Sequence, residues 1–127
     1  MSAPTDLLIA ARRGLLEATL ADTPAARYAT AHLAALRAAA AVLAARARPS
    51  ARRSGPRSVW LLLPRVAPEL TEWAQFFAAG SAKRSLAGAG VAVVSAREAD
   101  DLLRDAHAFC DLVANVLPGQ AVLPATG

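Results

Sequence analysis

The sequence predicts an all-α chain: an up-and-down bundle of four long helices with one short extra helical turn, expected to be dimeric. Three observations predict it. Apolar residues recur at spacings of three and four through most of the chain, which is the period of a helix face. Alanine and leucine, both strong helix formers, dominate those stretches, and proline and glycine fall mostly between them. The one strand-like run, Val91–Val94, is short and isolated, too little to build a sheet. At 127 residues the chain is long enough for one core. Its hydrophobic fraction is 55%, but much of that is alanine, which buries little area per residue. A monomer built this way leaves apolar surface that a second copy would cover.

One domain is expected over residues 7–117, with flexible termini at 1–6 and 118–127 and a basic flexible loop at 47–58. A first helix is expected from Leu7 to about Leu20, capped by Thr5 or Asp6, with Leu7, Leu8, Ala11, Leu15 and Ala18 in helical register. Ala21–Thr23 has room only for a tight turn, so the first two helices should be antiparallel neighbours. The second helix, Pro24–Arg46, organises the chain. Thr23 is a good N-cap, and Pro24 sits at the first helical position, where its missing N–H costs nothing. Leu33, Leu36, Ala40 and Leu43 form an apolar stripe on a helix about 35 Å long. Its alanines suit a central position or a dimer interface. Arg37 and His32, in the middle of the run, argue against a membrane span.

Ser58 is expected to cap a short turn, Val59–Leu63, with Pro64 and Pro68 breaking the pattern. A third helix should run from Pro68 to about Leu86, with Leu70, Trp73, Ala74 and Phe77 on its core face. Gly80 and Ser81 inside it suggest close packing of another helix. Trp60, Trp73, Phe76 and Phe77 carry most of the aromatic mass, read as core. Ser95-Ala96-Arg97-Glu98 is a capping box opening a fourth helix to about Leu117. Ala99, Leu102, Leu103, Ala106, Phe109 or Cys110, and Val113 face inward. Asp100, Asp101, Arg104, Asp105, His107 and Asp111 face out, where their spacing suits intrahelical ion pairs.

The net charge of +4 is unevenly placed. Through Pro68 there are ten arginines and three acids; from Glu69 onward there are four basic residues and seven acids. The basic half could approach a polyanion or the acidic half of another copy. Arg46, Arg48, Arg52, Arg53 and Arg57 cluster in the expected loop, as RNA contacts or as a solvated connector. The single cysteine, Cys110, excludes an internal disulfide and fits a reducing cytoplasm. No glycine-rich phosphate loop and no Glu-x-x-His pair occur, and His32 and His107 are the only histidines. No metal and no cofactor are expected.

The one spacing with a catalytic reading is Arg27-Tyr28-Ala29-Thr30-Ala31-His32. A histidine can act as acid or base at a ribose 2′-hydroxyl, and an arginine can clamp the phosphate. Five residues apart on a helix, the two sit about 140° apart. They would converge only across a two-fold axis between two copies. The plain alternative is a packing histidine and a first-turn surface arginine.

The blocks RYATAHLAALRAAAAVLAAR, PELTEWAQFFAAGSAKR and SAREADDLLRDAHAF resemble a small bacterial family of the HEPN superfamily (higher eukaryotes and prokaryotes nucleotide-binding), the SAV_6107-type HEPN family. The resemblance implies a helical bundle, often a homodimer. It implies possible RNA binding or metal-independent endoribonuclease activity of a toxin–antitoxin type, with Arg27 and His32 as the Arg-x(4–6)-His motif and Tyr28 as a positioning hydroxyl. It also implies possible partner proteins, an antitoxin or a nucleotidyltransferase-like chain. Other members of the superfamily lack the motif and bind RNA, nucleotides or proteins without cleaving. A non-catalytic scaffold dimer is therefore the alternative reading.

Overall fold

The computed structural model describes residues 2–46 and 56–117, and those residues are mostly helical with no strand among them. Helix α1 spans Ala3–Thr19. It begins earlier than Leu7 because Ser2, not Thr5 or Asp6, is the cap: its hydroxyl accepts the Thr5 N–H at 3.3 Å. Pro4 is tolerated there because the first helical turn needs no N–H from it. Leu8, Ala11, Gly14, Leu15 and Ala18 are its buried face.

Helix α2, Pro24–Arg46, starts as the sequence predicts, with the Thr23 hydroxyl accepting the Ala26 N–H at 3.1 Å. It packs most closely against α1 and three later helices, Pro56–Val66, Ser81–Gly88 and Ala96–Val116, and burial extends well beyond one stripe. Ala31, Ala34, Ala35, Ala38, Ala39 and Ala41 are fully covered. Small side chains let neighbouring backbones close in from several directions. At Gly14 of α1, a Cβ would stand 3.1 Å from the Ala34 Cβ, which is how near the two helices come. By length and composition α2 could cross a membrane, yet most of that stretch is buried inside the fold.

The expected short turn at Val59–Leu63 is instead an eleven-residue helix, α3, Pro56–Val66. The sequence reading stopped at Pro64, but a proline in the last turn removes one hydrogen bond without ending a helix whose Trp60 and Leu63 are buried. Residues 56–58 of the expected loop are therefore helical, and 47–55 lie outside the described residues. A 3-10 turn, Pro68–Leu70, leads into α4, Thr71–Ala79. The third long helix is also not continuous: it breaks at Gly80, and α5 resumes over Ser81–Gly88.

Helix α6, Ala96–Val116, opens with the predicted capping box: Ser95 Oγ accepts the Glu98 N–H and Glu98 accepts the Ser95 N–H. Ala99, Leu102, Ala106, Phe109, Cys110 and Val113 are buried along it, so Phe109 and Cys110 both face inward. Specific contacts fix the helix directions. Gly14 lies against Ala34, and the Arg27 side chain reaches the Ala18 carbonyl, so α1 and α2 are antiparallel. Arg27 pairs with Asp100 and Arg12 with Asp111, so α6 runs with α2 and against α1. His32 meets Phe77 while Arg46 meets Glu69, so α4 runs against α2.

The core centres on Trp60, Phe77 and Phe109. The Trp60–Phe77 and Phe77–Phe109 ring centroids are each 5.2 Å apart, in the range where aromatic pairs attract beyond simple area burial. Phe76 is not part of it and is exposed on the outer side of α4.

Candidate functional site at the second helix

Arg27 sits in the second turn of α2, over the turn that joins it to α1. Its guanidinium donates to the Ala21 carbonyl at 3.0 Å and to the Ala18 carbonyl at 3.4 Å. The third contact is an ion pair with Asp100 of α6 at 2.9 Å. Ala18 and Ala21 lie where α1 ends, so two carbonyls near the helix terminus find a cationic donor. The arginine thus ties three segments together with three of its five N–H donors.

His32 lies one and a half turns further along and faces the other way. It is 1% exposed. Its Nε2 is 2.8 Å from the Phe77 carbonyl, and since a carbonyl only accepts, Nε2 carries the proton. Phe77 stands in the last turn of α4, and its carbonyl also accepts the Gly80 N–H at 3.1 Å and the Ser81 hydroxyl at 3.4 Å. His32 therefore caps the end of α4. Its Nδ1 is buried with no partner among the described residues. Burial holds its pKa below the ordinary value; the Phe77 bond opposes that fall, and the charge of Arg84 adds to it. The imidazole also stands edge-on to Trp60 and Phe77, at centroid distances of 6.0 and 5.8 Å.

Tyr28 lies one turn before His32, its ring nearly parallel at 6.3 Å. Its hydroxyl occupies the space that a side chain at position 80 would need: a Cβ on Gly80 would lie 2.7 Å from it. Burial pushes the Tyr28 hydroxyl pKa up, only partly offset by Lys83, while Glu98 adds to the rise. The phenol is thus held neutral, as a donor or acceptor and not as a base. Tyr28, His32, Phe76, Gly80, Lys83 and Leu102 line a depression of about 250 Å³. The charge at its rim is already paired, since Lys83 contacts Glu98 at 2.6 Å.

The structure therefore brings Tyr28 and His32 together and turns Arg27 away from them. Arg46 of the expected RNA-binding set donates to the Val66 carbonyl at 3.1 Å and pairs with Glu69 at 3.0 Å, joining the end of α2 to the end of α3. Arg48, Arg52 and Arg53 lie outside the described residues, and Arg57 falls in the first turn of α3. Among the described residues no group of three or more His, Cys, Asp or Glu could hold a metal ion. His107 is exposed on α6. Burial raises the Cys110 thiol pKa to about 11, so it is an inert core group.

Sequence reasoning missed two features. Phe77 supplies the backbone acceptor for His32, and a backbone role leaves no mark in side-chain identity. A larger cleft, about 1020 Å³, lies between the first half of α2 and α5, and Arg84 lines it. The Gly80-Ser81 pair was the only sign that α2 and the segment after α4 approach closely.

Residues 18–114 match the model of a family described as SAV_6107-like HEPN. No curated protein and no solved structure matches the chain.

Proposed function

The chain belongs to the SAV_6107-like HEPN family, and from that premise we propose that it is a non-catalytic HEPN-like helical module, a homodimer that holds a partner protein and does not cleave RNA. The observation that carries this reading is the assignment of His32. An acid or base for RNA cleavage must reach the 2′-hydroxyl or the leaving oxygen within about 3 Å. His32 is 1% exposed, and its Nε2 proton is given to the Phe77 carbonyl. The Arg27 guanidinium is engaged by two carbonyls and Asp100. Each residue has a structural role that needs no substrate.

Support for the dimer comes from α1. Ile9, Leu16 and Leu20 are 39, 66 and 80% exposed, and spacings of seven and four place them on one stripe. A second reading, a metal-independent endoribonuclease, is favoured by one observation, the Arg27-x(4)-His32 spacing within this family.

The test is degradation of a mixed RNA pool by purified protein with EDTA present, wild type beside His32→Ala. The proposal expects no cleavage by either protein and a lower melting temperature for His32→Ala, from loss of the α4 cap and a cavity beside Trp60. Wild-type cleavage that disappears in a folded His32→Ala protein would establish the nuclease instead.

A further inference from the structure

The cleft between the first half of α2 and α5 has the features of a small-molecule site, independent of the reading of His32. At about 1020 Å³ it lies at the upper end of the size range of ligand pockets. Its walls are aliphatic: Ala25, Ala29, Leu33, Ala87 and Val94 contribute, and no aromatic ring is among the lining residues. A nucleobase would find nothing to stack on. An alkyl chain would lie against the apolar side chains on the α2 and α5 walls.

The charge of the lining is one-sided. Among the described residues, Arg84 is the one cation that lines the cleft, and no acidic side chain lines it. The Arg84 guanidinium makes no ion pair or side-chain hydrogen bond among the described residues. Its Nε is fully buried without a partner. Arg12, Arg27, Arg46, Lys83 and Arg104 each contact a carboxylate, whereas Arg84 shares with Arg13, Arg37, Arg65 and Arg97 the lack of an ion pair among the described residues, and of these it is the one that lines the cleft. The terminal guanidinium nitrogens have no bond to a described residue, so an anionic ligand in the cleft can supply acceptors for them. The hydroxyls of Thr30 and Ser85 also line the cleft and can serve the same head group.

We propose that this cleft binds a linear aliphatic carboxylate, its head on Arg84 and its chain along the alanine wall of α2. The carboxylate accepts from the guanidinium, and each further methylene removes apolar wall from water. Affinity should therefore rise by roughly fourfold per methylene until the cleft is filled.

Calorimetric titration of the intact protein with hexanoate, octanoate, decanoate and decanol tests this. Decanoate is expected to bind saturably at one site, tighter than octanoate and hexanoate in that order, with decanol at least tenfold weaker. Arg84→Gln should lose at least tenfold in decanoate affinity, and Arg84→Lys should keep most of it. A second variant avoids the charge altogether. A Cβ on Gly88 would meet the Ala29 Cβ at 3.8 Å, an ordinary contact, so Gly88→Leu should fit the helix and fill the cleft. It should block decanoate while thermal unfolding stays close to wild type. Equal decanoate affinity in wild type and Arg84→Gln overturns the proposal, as does unchanged binding in Gly88→Leu. No saturable binding at millimolar decanoate also overturns it.

Discussion

At the scale of single residues, the chemistry-bearing side chains of α2 serve the fold. Tyr28 and His32 fill the place where the chain after α4 must approach α2, and Gly80 is the residue that permits the approach. Its missing Cβ leaves room for the Tyr28 hydroxyl, which would stand 2.7 Å from that atom. Tyr28 is itself buried, with His32 stacked on one side, so its ring has little freedom to yield. Gly80→Ala is therefore expected to destabilise the protein by about 1–3 kcal/mol, the usual range for overpacking a tight site. Adding Tyr28→Phe should restore much of that loss, because it removes the clashing atom. Urea unfolding of the two single variants and the double variant checks this, and strict additivity would contradict the packing account.

At the scale of elements, the sequence was legible where caps and periodicity agreed and misleading where a proline or glycine was weighed alone. Thr23-Pro24 and Ser95 to Glu98 are local signals, with each cap partner within three residues, and both helices start where these signals put them. The inward face of α6 was equally legible, because its charged residues alternate with apolar ones at helical spacing. Pro64 suggested an end, but tertiary burial of Trp60 and Leu63 carries α3 past it. The break at Gly80 depends on Tyr28 and His32, more than forty residues earlier, and no local pattern reports such a contact. Ser2 was overlooked because the apolar period begins only at Leu7. The capping box gives a test at this scale. Ser95→Ala leaves the Glu98 N–H without its partner and should cost about 0.5–2 kcal/mol. Hydrogen exchange should show the effect concentrated in the first turn of α6, and a loss spread evenly over the chain would contradict a local cap.

At the scale of the whole molecule, α2 is the axis on which the other helices are laid. Its alanine surface sets how closely they approach, and Arg12–Asp111, Arg27–Asp100 and Arg46–Glu69 pin three positions along the assembly. These pairs are partly exposed, so they fix register more than they add stability. The apolar stripe of α1 remains uncovered in a single copy. The proposed dimer predicts that the wild type sediments as two copies, and that Leu16→Glu together with Leu20→Glu sediments as one with helicity kept; a monomeric wild type would contradict the dimer. A dimer that persists in that variant would move the interface elsewhere. The central claim, that His32 is a structural cap and not an acid or base, is tested most directly by nitrogen-15 NMR of its imidazole across pH, with and without RNA. The account predicts a neutral ring protonated on Nε2, a titration midpoint below the ordinary 6.5, and no change on adding RNA. A midpoint at or above 6.5 with ring signals that move when RNA is added would contradict it.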